Sequence, residues 1–201
     1  MATKRNDSIK KLVLTAVFMA ITAFLQLFAS SFTVGTVSFS LVLIPIVLCG
    51  ILVGKMGGFL TGLTFGVITM IGGITGGDVF TATLMQSGTR GFLLTSLICL
   101  VKASMAGLLS AIVYKALKNV NNLFATFCAA ATAPIVNTGL FILGMLTMTD
   151  ILNEAFLQGG SVIYFLVVVC AGVNFIIELL VNLIFAPAIY HLIKAVSKGK
   201  I

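Results

Sequence analysis

Long apolar runs separated by short polar breaks set the pattern of this chain. A membrane span needs about 20 apolar residues to cross roughly 30 Å of hydrocarbon, and six stretches approach that, at about 9–29, 39–54, 57–73, 91–115, 123–147 and 161–189. Long apolar runs satisfy their backbone groups in lipid as helices, whereas a membrane barrel would need short alternating segments. The pattern predicts an all-α integral membrane protein, with residues 1–201 forming a single membrane domain of six transmembrane helices. The second and third runs are short and joined by the tight "GKMGG" turn, and Pro45 is expected to bend the second. The first run starts with basic residues, as a cleavable signal does. Its apolar part is about 18 residues long where a signal core has about 7–15, so it reads as a retained helix.

Composition closes off the soluble classes. The chain is 60% hydrophobic and 8% charged, with a mean hydropathy of +1.22, whereas soluble domains carry about a quarter charged residues. A net charge of +7 would suit nucleic acid if it were patched on one face. Here the cations instead flank the apolar runs. With six spans, Lys4, Arg5, Lys10, Lys11, Lys55, Lys115, Lys118, Lys194, Lys198 and Lys200 fall on one side and Arg90 alone on the other, while Lys102 lies within a span. The excess of cations marks the cytoplasmic side, so both termini are expected there. The connections on the opposite side are longer: 30–39 is uncharged and β-prone, 72–90 is glycine-rich with room for a short helix near 79–86, and 148–160 is polar. Elaborate outer loops over a compact bundle suggest a lid over something that enters from outside.

Two patterns lie inside the spans. Gly50, Gly54, Gly58, Gly62 and Gly66 recur every fourth residue, a spacing that lets helices approach closely. It is expected to serve packing within the chain. The second pattern is polar. A charge centred in a span costs roughly 2.5–3.5 kcal/mol on insertion scales, yet Lys102 lies in the fourth run and Glu178 in the sixth. Asn174, Glu178 and Asn182, spaced i, i+4, i+8 in "VNFIIELLVNLIF", share one helix face, and Asn137 and Thr138 interrupt the fifth run. One reading is a structural Lys102–Glu178 pair across a depth difference of about 9 Å. The other is that Lys102, Asn137, Thr138, Asn174 and Glu178 line a polar substrate pocket. In that case Lys102 meets a carboxylate or ring carbonyl, and the deeper Glu178 and Asn182 orient Lys102 or touch a partner subunit.

Catalytic signatures are missing. "GILVGKM" at 50–56 has three residues between its glycines where a P-loop has four, and Met56 stands where Ser or Thr would hold magnesium. His191 is the sole histidine, remote from any serine or carboxylate pair. "GGD" at 76–78 offers one aspartate where an aspartyl protease needs two. Cys49, Cys99, Cys128 and Cys170 lie in separate apolar runs with no CxxC spacing and read as small buried hydrophobes. No enzyme activity, cofactor or metal is expected.

These residues resemble the substrate-binding S component of an energy-coupling factor (ECF) vitamin transporter. The likeness is carried by "LTAVFMAITAF", "VGTVSFSLVLIPIVLCGILVG", "KMGGFLTGLTFGV", "LVKASMAGLLSAIVYKALK", "APIVNTGLFILGM" and "NFIIELLVNLIFAPAI", and it covers the whole chain. It implies a multi-pass protein of the bacterial plasma membrane that binds a vitamin with high affinity near the outer face, in a pocket walled by the fourth to sixth spans. Loops 30–39 and 72–90 would be the gates, with Phe32, Thr36, Phe39, Asp78, Phe80 and Arg90 as gating residues. The resemblance also implies partners: a membrane coupling protein (the T component), contacted through Ala16 and Ala20 of the first span, and two cytoplasmic ATPases. Substrate would be delivered by reorientation of the subunit in the bilayer.

Without tryptophan and with only three tyrosines, an aromatic cage of the thiamine-binding kind is poorly supported. Lys102 and the amides favour an acidic, hydrogen-bonding vitamin such as pantothenate, with riboflavin or folate as alternatives. Two other classes stay open at this point. A self-sufficient small secondary transporter or channel would move substrate without ATPase partners, although no inverted repeat is evident. A structural or assembly protein would use the polar stripe for packing alone.

Overall fold

The computed structural model describes residues 2–29, 33–34, 37–38, 41–157 and 159–198. Its elements are almost all helical. Helix α1 (Ala2–Ala29) is followed by a two-residue antiparallel pair, β1 (Thr33–Val34) and β2 (Val37–Ser38), and then by α2 (Leu43–Leu52), α3 (Lys55–Thr75), α4 (Val79–Gln86), α5 (Gly88–Leu117) and α6 (Asn122–Met145). A 3₁₀ turn (Leu146–Met148), α7 (Thr149–Leu152) and a π-helical turn (Asn153–Leu157) lead to the last span. That span is built from α8 (Val162–Tyr164), a π-helical segment (Phe165–Gly172) and α9 (Val173–Lys198). Phe32, Thr36 and Phe39, expected as gating residues, lie outside the described residues.

Among the described residues, five stretches are long and apolar enough to cross a membrane: Asn6–Phe28, Lys55–Thr75, Gly88–Leu117, Asn122–Leu157 and Val162–Val196. The run expected over 39–54 is different. Its helix has ten residues, about 15 Å at 1.5 Å per residue, or half a bilayer core. It is tolerated because it is wrapped in protein: Val42, Leu43, Ile46 and Val47 are fully buried and form a core with Phe65, Ala103, Ala133 and Ile189. Pro45 does not bend this helix midway. It is the third residue of α2, in the first turn, where a missing N–H removes no intrahelical bond. The turn to α3 depends on Gly54, whose φ of 112° is favoured only by glycine.

The fourfold glycine spacing is used within the chain, where α3 lies against α5. A Cβ on Gly58 would stand 2.5 Å from the Gly107 carbonyl oxygen, and one on Gly66 2.5 Å from that of Cys99; one on Gly62 would collide with the Ala103 carbonyl. Without side chains at these positions the two backbones touch, which supplies the van der Waals contact that holds helices together in lipid. Several hydroxyls in the spans are satisfied locally, although those of Thr22 and Ser96 are buried without a partner. Thr61 donates to the Gly57 carbonyl (2.8 Å), Thr69 to Phe65 (3.0 Å) and Ser104 to Leu100 (2.7 Å), one turn back on their own helices. Ser110 instead crosses to the Ala129 carbonyl of α6 at 2.8 Å, tying α5 to α6.

The ends of the bundle differ. At one end the start of α1 (Asp7, Lys10, Lys11, Leu14), the α2–α3 turn (Leu52, Val53) and Val196 near the end of α9 surround a cavity of about 260 Å³. At the other end, α4 and the segment 146–157 pack over the spans, around a second core of Leu84, Ile98, Met145, Met148, Ile151, Leu152 and Leu166.

Candidate functional site: a polar cluster beneath an aromatic roof

Helices α5, α6 and α9 carry the intramembrane polar residues, and α6 packs against both of the others. Glu178 is 2% exposed and Asn182 is fully buried. Helical spacing aligns the stripe as the sequence pattern predicts: Asn174 Nδ2 donates to Glu178 Oε1 at 3.3 Å, and Asn182 Nδ2 donates to the Glu178 backbone carbonyl at 2.8 Å. Asn137, 6% exposed, comes from α6, one turn beyond the buried Pro134. Asn137 and the Lys102 ammonium both lie within electrostatic reach of the Glu178 carboxylate. Lys102 and Glu178 each sit near the middle of their own spans. No ion pair joins them among the described residues, and the Lys102 ammonium stands over the Phe141 ring, 5.1 Å from its centroid. A ring face attracts a cation, more strongly where water is excluded.

The cluster is rich in unmet hydrogen-bonding capacity. Asn137 Oδ1, Asn174 Oδ1, Glu178 Oε2 and Asn182 Oδ1 are buried with no partner within the protein. An unsatisfied buried acceptor costs about 1–3 kcal/mol, and more when charged. Native structures hold few such groups, and each calls for an explanation.

Above the cluster four phenylalanines meet. Phe80 of α4 lies 6.0 Å from Phe141, 5.1 Å from Phe156 and 6.4 Å from Phe165, and Phe156 lies 5.6 Å from Phe165, all between centroids. The contributors are α4, α6, the 153–157 turn and the head of the last span. Two of the four, Phe156 and Phe165, lie in π-helical segments, a geometry common at functional sites because it re-aims side chains within a span. At the rim, Arg90 donates to Asp150 Oδ2 (2.6 Å) and to the Thr147 carbonyl (3.0 Å), clasping the start of α5 to the 146–152 segment. Both side chains are more than half exposed, and exposed pairs are worth little. Arg90→Ala should therefore lower the unfolding free energy by about 1 kcal/mol or less, checked by chemical unfolding in detergent.

The residues expected at the site separate into groups. Lys102, Asn137, Asn174 and Glu178 come together. Thr138, next in sequence to Asn137, is turned about 100° around the helix and lines a neighbouring groove of about 230 Å³ with Ile135, Gly139, Ile142, Val167, Ala171, Gly172 and Phe175. Phe80 enters the roof. Asp78 caps α4, accepting from the Thr81 hydroxyl (2.6 Å) and backbone N–H (3.3 Å). Glu178 and Asn182 were one option for touching a partner subunit; their burial places them inside the bundle instead. Sequence reasoning missed Phe141, Phe156 and Phe165. Of these, only Phe141 carried a signal, lying one helical turn beyond Asn137.

Ala16 and Ala20 are exposed on α1, in a stripe with Val13, Val17 and Phe24 (53%, 51% and 67% exposed). The opposite face of α1 carries the buried Thr15 and Thr22, turned toward α2 and α3.

A search among curated proteins finds no match. A family model described as "ECF transporter, substrate-specific component" matches residues 10–190, nearly the whole chain. Members are substrate-binding subunits of importers, not enzymes; they are multi-pass proteins of the bacterial cell membrane and associate with a T component and ATPases. With its apolar helices, its polar cluster enclosed at mid-span and this match, the chain belongs to the family of ECF transporter substrate-specific components.

Proposed function

We propose that this subunit binds a water-soluble vitamin with high affinity at the Lys102–Asn137–Asn174–Glu178 cluster. It then delivers the vitamin inward by reorienting in the bilayer together with a membrane coupling protein and two cytoplasmic ATPases. The observation that carries this reading is the set of four buried acceptors without partners, because a solute that meets them recovers hydrogen bonds the protein alone leaves unmade. The aromatic roof supports a gated entrance: Phe80 and Phe156 come from α4 and the 153–157 turn, which lie over the spans at one end of the bundle. The cation excess around the cavity formed by the α1 start, the α2–α3 turn and the α9 end supports placing both termini in the cytoplasm. The exposed Ala16–Ala20 stripe supports α1 as the face that meets the coupling protein.

Lys102 and the amides favour an acidic vitamin that also forms hydrogen bonds, pantothenate first, with riboflavin and folate as alternatives. The chain purified alone from cells grown in rich medium should carry a stoichiometric small molecule, identified by mass spectrometry after denaturation. Reconstituted alone in liposomes, it should not transport that compound. An empty protein that also shows no saturable binding to a vitamin panel would overturn the proposal.

A further inference from the structure

Hydrogen-bond bookkeeping around Glu178 gives the cluster a definite polarity. An amide side chain can be turned end for end, exchanging donor and acceptor. Two of the three amides here are held against that exchange. Turning Asn174 would set its oxygen against the Glu178 carboxylate, and turning Asn182 would set its oxygen against the Glu178 carbonyl, so each must present nitrogen to Glu178. Their donors are thereby engaged and their oxygens left over. Glu178 Oε2 and the Asn137 oxygen add to the surplus. The one cation, Lys102, is drawn to the Phe141 ring and makes no ion pair with Glu178. The floor of the site is therefore acceptor-rich, with its positive charge at the aromatic side.

We propose that the solute bound here presents hydrogen-bond donors (hydroxyl, amide or ring N–H, or amine) to Glu178, Asn137 and Asn174, with any acidic or carbonyl end turned toward Lys102. This rests on the binding reading above and deepens it. Glu178 becomes the residue that selects for donors.

The experiment compares wild type, Glu178→Gln, Asn137→Leu and Lys102→Met in equilibrium binding to riboflavin, pantothenate and folate. Riboflavin brings an imide N–H and hydroxyls without an acid; the other two bring donors and carboxylates. Glu178→Gln keeps the shape and turns one acceptor into a donor, so it should weaken every probe that wild type binds by about tenfold or more. Asn137→Leu, on a different helix, should act in the same direction. Lys102→Met should weaken pantothenate and folate, whose carboxylates meet the ammonium, more than riboflavin, which offers it only a ring carbonyl. Misfolding is separable, because replacing a buried unpaired carboxylate by an amide should leave the thermal stability of the ligand-free protein equal or higher. If wild type binds a probe and Glu178→Gln and Asn137→Leu bind it within about twofold of wild type, buried water satisfies the acceptors; this inference is then overturned and the binding reading stands. If wild type binds none of the three, the proposed vitamins and the inference fall together.

Discussion

Joint replacement of Ala16 and Ala20 by leucine is expected to abolish transport by the assembled complex while leaving solute affinity of the isolated chain unchanged. Both alanines are exposed on α1, so longer side chains there meet nothing within the chain. Lipid tails are as apolar as leucine, and no hydrophobic force therefore drives two spans together in a bilayer. Association depends on close backbone approach across small residues. Two leucines on adjacent turns hold a partner helix off by the width of a side chain, which forfeits most of a contact whose attraction decays within an ångström. The check is co-purification of tagged coupling protein and ATPases with the double variant, alongside solute binding by the variant alone. Equal loss of both would point to misfolding. Retention of both would remove α1 from the interface.

The second large effect is expected inside the bundle. Gly62→Val should cost about 3 kcal/mol, the upper end of overpacking penalties, and sharply reduce the yield of folded protein. Opposite Gly62 lies backbone: the Ala103 carbonyl group and the Ser104 Cα, 3.0 Å from where a Cβ would stand. Backbone cannot rotate away as a side chain can, so α3 must lift from α5. Those two helices also carry Phe65 and Ala103 of the core around α2, as well as Lys102. Gly72→Ala on the same helix is the control. Nothing lies within 4 Å of its Cβ position, and alanine is the better helix former by about 1 kcal/mol. Thermal unfolding of the two variants in one detergent should separate them, with Gly72→Ala at or above wild type.

The polar site could be read from the sequence only in part. Lys102, Asn137, Asn174 and Glu178 stand out because charge and amide are costly among apolar neighbours, and the i, i+4 spacing already places Asn174 against Glu178. The placement of Thr138 could not be read, since one step along α6 turns its side chain into a neighbouring groove. Nor could the half-length of α2, because a run buried in protein is as apolar as one facing lipid.

Residue chemistry by itself determined the solvent this protein lives in, the helical class, the excess of cations flanking the apolar runs, and which side chains are out of place in lipid. These follow from local terms, transfer free energy and helical period, that each segment expresses alone. Tertiary structure decided what those terms leave open. Lys102 faces Phe141 with no ion pair to Glu178, the glycine ladder is consumed by α5, and Phe80, Phe141, Phe156 and Phe165 converge from four separate segments. Contacts between distant segments depend on how helices rotate and slide against one another, and no single run of sequence carries that information.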